Sequence, residues 1–205
     1  MQNINEQIES FRQSLYANNA IHVLSFTKNG VPADIDDYGG MFDDGLTATQ
    51  ILSFYKNFNG FACKWQAIDK NRDVSGSVAF LRMEQMLPIQ DKNFEPFEVP
   101  TEFCPIDVFN SEALVGFYKG SNKNSKLYLY DHTHDPKNLG VDIFGYFELM
   151  LYAKAYRYWQ YLILEILHNE VATIGEQLRS NISVLFSDFT MVGFTELYMK
   201  HQIVK

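Results

Sequence analysis

Residues 51–86 constrain the fold of this chain more than any other stretch. They read ILSFYKNFNGFACKWQAIDKNRDVSGSVAFLRMEQM. Ile51, Phe54, Tyr55 and Phe58 stand at positions i, i+3, i+4 and i+7 and share one stripe of a short helix. Asn59-Gly60 follows, a pair suited to a left-handed C-terminal cap. Thr47 or Thr49 can begin that helix. Residues 61–68 then read as a strand, 69–73 as its polar turn, 76–81 as a second strand, and 83–87 as a helical turn closed by Pro88.

The rest of the chain supplies partners for this unit. Ile4, Ile8, Phe11 and Leu15 recur at steps of four, three and four, which marks one face of a helix. Residues 21–26 suggest a short strand running into a turn at Asn29-Gly30. After a loop carrying Pro96, Pro100 and Pro105, residues 106–109 read as a strand, and residues 113–118 and 126–131 as a hairpin around GSNKNS. Toward the end, Val171, Ile174, Leu178, Ile182, Leu185 and Phe189 form a narrow apolar stripe that predicts a C-terminal helix. It separates from the preceding helix near His168-Asn169, with Asn169 as cap and Glu170 in the first turn. The stripe barely reaches three heptads, which favours core packing over the alternative of a homodimer seam. The expected fold is therefore α+β: a mostly antiparallel sheet flanked by helices over residues 1–168, with a helical extension over residues 169–205 packed on the same domain.

Composition narrows the function. A chain of 205 residues that is 46% hydrophobic and 15% aromatic can bury a core without disulfide or metal. Cys63 and Cys104 make no framework, and MQNINEQIES lacks a basic start followed by an apolar run, so a reducing cytoplasm is the expected location. No apolar run approaches a membrane span; residues 159–167 come nearest and contain Gln160 and Glu165. With 25 acidic against 17 basic residues the net charge is −8, which disfavours nucleic acid and suits either a basic protein partner or plain solubility.

Few constellations suggest chemistry. Asp34, Asp36, Asp37, Asp43 and Asp44 crowd one loop with no Lys or Arg between Ala33 and Gly45, so the loop should be solvated and attract a cation or a basic surface. It is not an EF-hand, because Tyr38 and Gly45 stand where ligands are needed. Asp131-His132-Thr133-His134-Asp135 is the most metal-like cluster: on a strand His132 and His134 would point the same way toward one zinc, yet Pro136 follows at once and a polar turn is the simpler expectation. Ser75-Gly76-Ser77 lacks the Gly-x-Ser-x-Gly elbow, and no phosphate-cradling glycine pattern occurs. Tyr152, Tyr156, Tyr158, Trp159 and Tyr161 beside Lys154 and Arg157 read as packing aromatics before they read as a stacking platform for single strands. No catalytic residue, metal or cofactor is nominated.

The order of these pieces resembles the SUKH superfamily, whose bacterial members are mostly immunity proteins that neutralise toxins by binding them. The likeness rests on the helix ending in Asn59-Gly60, the strand after it, and the Gly76-Ser77 strand leading into a helix. It continues through Asp107 to Phe109 with Val115 to Tyr118, the KLYLYD strand from Lys126, and a final helix over residues 144–165 carrying Trp159. It spans roughly residues 45–165 and implies inhibition by surface contact with a toxin domain, without catalysis. Two other readings remain open: a metal-assisted hydrolase using Asp131, His132, His134 and Asp135, and a homo-oligomeric regulatory scaffold.

Overall fold

A helix cap and an apolar stripe begin the structure. Asn3 accepts the Asn5 N–H at 2.9 Å and starts α1 (Ile4–Tyr16), whose Ile4, Ile8, Phe11 and Leu15 are all buried, as their spacing predicts. The computed structural model describes residues 3–30, 46–56, 58–69, 74–86, 102–110, 113–119, 126–131, 136–168 and 173–203. After α1 come β1 (Ile21–Lys28), α2 (Leu46–Tyr55), β2 (Phe61–Ala67), β3 (Ser75–Phe80) and the single turn α3 (Met83–Met86). Then follow β4 (Phe103–Asn110), β5 (Ala113–Tyr118), β6 (Tyr128–Asp131), β7 (Lys137–Asn138), α4 (Ile143–Tyr152), α5 (Gln160–His168), α6 (Thr173–Leu185) and α7 (Met191–His201).

Among the described residues the strands form one seven-stranded antiparallel meander in sequence order, so the fold is α+β. Period-two burial on β2 and β3 turns Phe61, Cys63, Trp65, Val78 and Phe80 inward. There they meet Phe54 and Tyr55 of α2, Phe58 just beyond it and Phe147 of α4, with Phe54 and Phe147 centroids 5.3 Å apart and edge-on. On the opposite face Phe103, Leu114 and Tyr130 make a smaller buried cluster. Among the described residues no helix is long and apolar enough to cross a membrane.

Strand β3 is paired unequally. It runs along β2 for six residue pairs but meets β4 only at Phe80↔Asp107. The Ser75–Ser77 end would expose bare backbone groups beside the core. The segment between α4 and α5 fills that gap: Ser77 N–H donates to the Ala155 carbonyl at 2.8 Å, Arg157 N–H donates to the Ser75 carbonyl at 2.9 Å, and Trp65 Nε1–H donates to the Lys154 carbonyl at 2.8 Å.

This corrects the expectation of one helix over residues 144–165. Helix α4 stops in a Schellman arrangement, with Lys154 N–H on the Leu151 carbonyl and Ala155 N–H on the Met150 carbonyl. Lys154, Ala155 and Tyr158 take φ of 56°, 50° and 65°. A glycine would normally mark such a stop, and here lysine and alanine occupy it. The strain is held in place by the bonds to β3 and by burial of Ala155 and Trp159.

The C-terminal stripe also divides. Leu178 and Ile182 are buried on α6, which ends at Leu185, whose carbonyl accepts Asn18 Nδ2–H at 2.7 Å. Phe186 packs edge-on to Trp65 at 5.3 Å, and Phe189 sits in the turn before α7. Thr190 caps that last helix by accepting Gly193 N–H at 3.1 Å, a signal that the continuous stripe conceals. Leu178, Ile182 and Phe189 pack into the core over which Phe194 and Tyr198 also close, and Leu185 is partly buried against it, while Val171 and the side chain of Ile174 lie outside the described residues.

Gly76 is fixed by this arrangement, since a Cβ there would lie 2.1 Å from Trp65 Nε1 and 2.7 Å from the Ala155 carbonyl oxygen. Gly76→Ala is expected to lower the unfolding free energy by about 3 kcal/mol through overpacking, measured by urea denaturation. A loss under about 0.5 kcal/mol, within the range of neutral surface changes, would contradict this account of the junction.

Candidate functional site

The residues that carry the family resemblance are framework residues. Helix α2 ends at Tyr55, short of the expected stop at Asn59-Gly60; Asn59 is buried instead against α3, its Oδ1 accepting Met83 N–H at 2.8 Å and its Nδ2–H donating to Glu84 at 2.9 Å. Gly60 has φ +80°, and a Cβ on it would lie 2.5 Å from the Phe80 carbonyl oxygen. Both properties require glycine.

Asp107 lies at the centre of the polar interior. It is fully buried on β4, accepting Ala79 N–H at 2.9 Å and the Tyr146 hydroxyl hydrogen at 2.7 Å. Gln160 Nε2–H donates to the Tyr146 oxygen at 2.8 Å, linking α5, α4 and β4. No cation faces Asp107 among its bonded partners, and burial raises its pKa to about 6 against the pull of the two hydrogen bonds. The same burial, with Asp107 beside it, pushes the Tyr146 hydroxyl well above its ordinary value. Gln160 Oε1 and Trp159 Nε1 are buried with no hydrogen-bond partner among the described residues.

The sequence-predicted site residues divide sharply. Asp34, Asp36, Asp37, Asp43 and Asp44 lie outside the described residues, as do His132, His134 and Asp135. Asp131 is described and nearly buried. Its Oδ2 receives Lys137 Nζ at 2.6 Å and the Tyr161 hydroxyl at 2.8 Å, with the Lys137 ammonium 5.5 Å from the Tyr161 ring centroid. That carboxylate oxygen ties β6, β7 and α5 together. Among the described residues no three His, Cys, Asp or Glu side chains group as metal ligands.

Cys63 and Cys104 are free and buried, and burial drives their thiols up to about 12 and about 11, away from the thiolate needed for nucleophilic work. Of the aromatics near the α4–α5 junction, Trp159 and Tyr156 are buried in the core, while Arg157 folds over the Tyr158 ring at 4.7 Å. The packing expectation for them holds.

Two concavities add to this picture. One, of about 390 Å³, opens between α1, α4 and α7 and is bordered by Phe11, Leu151, Tyr152, Glu148 and the Lys154–Asp188 ion pair. The other, of about 350 Å³, lies between the start of β6, the end of β7, the end of α5 and the segment after α7. Lys126 lines it while only 5% exposed. In the sequence Lys126 is simply the first residue of KLYLYD, and lysines are so rarely buried that nothing there marks it.

Asp107 gives a pH signature. Its folded value of about 6 exceeds the unfolded value of about 3.9, so its stabilising contribution is full below pH 4 and is lost as pH rises through 6. Asp107→Asn should therefore gain on the native protein by roughly 3 kcal/mol between pH 4 and pH 7, read from paired urea titrations. Parallel stability profiles for the two proteins would show that Asp107 does not titrate in that window.

Against family models, curated proteins and solved structures, the chain finds no match.

Proposed function

We propose that this chain is an immunity protein of SUKH type that neutralises a bacterial toxin domain by direct contact. The observation that carries the reading is the Asn59-Gly60 corner. It joins the α2 segment, β2, the end of β3 and α3 in the order on which the resemblance rests, with both polar ends of Asn59 bound inside the fold. Asp107 and Trp159, two more residues of that resemblance, likewise lie in the interior. Residues so enclosed build a scaffold, and a scaffold of this kind recognises a partner through its surface.

The surface carries the excess of acid. With a net charge of −8, the chain favours a basic partner such as the phosphate-binding cleft of a nuclease domain, and charge complementarity of this kind acts mainly on the rate of encounter. In the sequence, Asp34, Asp36, Asp37, Asp43 and Asp44 make the densest run of acid.

The test is co-expression with the secreted toxin domain encoded beside the chain's own gene, scored as cell survival, together with stopped-flow binding of the purified pair. Survival and a complex are expected. Replacing the five aspartates by asparagine should slow association roughly tenfold at low salt and much less at 0.5 M salt, where exposed charges are screened. Neither binding nor protection would defeat the reading. Binding without a change in association rate would remove the acidic loop from it.

A further inference from the structure

We propose that the trough between α1, α4 and the α6–α7 turn binds a neutral sugar through the Lys154–Asp188 pair. Lys154 Nζ lies 2.6 Å from Asp188 Oδ2, and both residues border the concavity of about 390 Å³, room for roughly two sugar rings. With Ser14 they also border a second hollow beside Asn18 and Phe186, so the trough follows α1 from Gln7 to Asn18, about three turns. Lysine stands at φ 56° in the stop of α4, where glycine is usual, and a residue held in that conformation is kept where its side chain has a use. The Lys154 side chain is 11% exposed, so its stem packs much as a methionine's would. Its ammonium adds an ion pair to an aspartate that is 66% exposed, a pairing that contributes little to folding. The charged end is therefore the part that packing leaves to a ligand.

The charges select an uncharged ligand. Lys154 is balanced by Asp188, and Glu148, which also borders the trough, by Lys200 at 3.4 Å with His201 at 2.8 Å. An entering anion meets two carboxylates, and an entering cation meets two ammonium groups. Each pair still has open positions. Lys154 Nζ keeps further N–H groups, and among the described residues no hydrogen bond reaches Asp188 Oδ1 or Glu148 Oε1. A hydroxyl both donates and accepts, so two hydroxyls on neighbouring carbons fit an ammonium beside a carboxylate: one accepts from Lys154 Nζ while the next donates to Asp188, and both bonds are charge-assisted. Gln7, Ser10 and Ser14 share one face of α1 and add an amide and two hydroxyls to the lining. Ser14 already donates to the Phe11 carbonyl at 2.8 Å, which leaves its oxygen as an acceptor. Leu151 and Leu197 supply apolar surface for the C–H face of a ring. An aliphatic chain leaves the polar set unused, and a polyanion is repelled by the two acids.

Sugar binding here is independent of toxin neutralisation, and the full chain alone tests it. Calorimetric titration with cellobiose, whose ring diols are trans, and with methyl mannoside, which has a cis diol, is the primary experiment, with amide shifts followed at Ser10, Tyr152 and Asp188. Saturation with at least one of the two near roughly 1 mM is expected for a ligand held by a few polar contacts in an open trough. Lys154→Met keeps the stem and removes the ammonium, so it should weaken binding at least about tenfold while the melting temperature of the free chain stays within about 2 °C. Ser10→Trp fills the trough and leaves the ion pair intact, so it should abolish binding; it reads the site even where Lys154→Met does not fold. No saturation with either sugar, binding unchanged in Lys154→Met or in Ser10→Trp, or succinate or putrescine bound as tightly as the sugars would overturn the proposal.

Discussion

The unfinished edge of β3 is the constraint around which the interior is organised. Ser77, Ala79 and Leu81 direct successive N–H groups away from β2, and β4 joins in register only at Asp107. A buried edge cannot leave such groups bare. Each finds a different acceptor: Ser77 the Ala155 carbonyl, Ala79 the Asp107 carboxylate, and Leu81 the Ile106 carbonyl. One strand edge thus requires a broken helix at one end, a buried acid in the middle and an ordinary strand at the other. Trp65 and Gly76 fit this demand together, because the absent Cβ makes room for the indole that reaches the Lys154 carbonyl.

How much of this was legible in the sequence depends on whether the demand was local. The α1 stripe, the Asn59-Gly60 corner and the alternation on β2 and β3 are local patterns, and each is found where its spacing puts it. The break after Tyr152 is not local. Lys154 and Ala155 are good helix formers, and only the hydrogen bonds offered by β3 make a left-handed turn favourable there. The turn between α6 and α7 was hidden for the opposite reason, since Phe189 continues the apolar stripe past Leu185 while Thr190 alone signals a new start.

The candidate sites follow the same rule. Asp131 opens the most metal-like cluster of the sequence, for which a polar turn is the simpler expectation, and in the structure Lys137 and Tyr161, six and thirty residues away, bind its Oδ2. A sequence displays which groups can ionise. It does not display which of them the fold has already neutralised.

Asp107 illustrates why a buried acid is tolerable at this junction. In the ionised form it accepts from Ala79 and Tyr146, Tyr146 accepts from Gln160, and Gln160 Oε1 is the atom left over. With the proton on Asp107, the chain can run in reverse: the acid donates to Tyr146, Tyr146 donates to a rotated Gln160 amide, and the leftover atom is the Gln160 nitrogen instead. Either direction leaves one amide atom of Gln160 unpaired, so protonation does not cost the network a hydrogen bond. What separates the two forms is the desolvation of the carboxylate, and that difference favours the neutral acid, in keeping with its raised pKa. An asparagine at this position reproduces the neutral arrangement, with its amide N–H replacing the acid proton. An alanine leaves both the Ala79 N–H and the Tyr146 hydroxyl without their acceptor in the driest part of the fold.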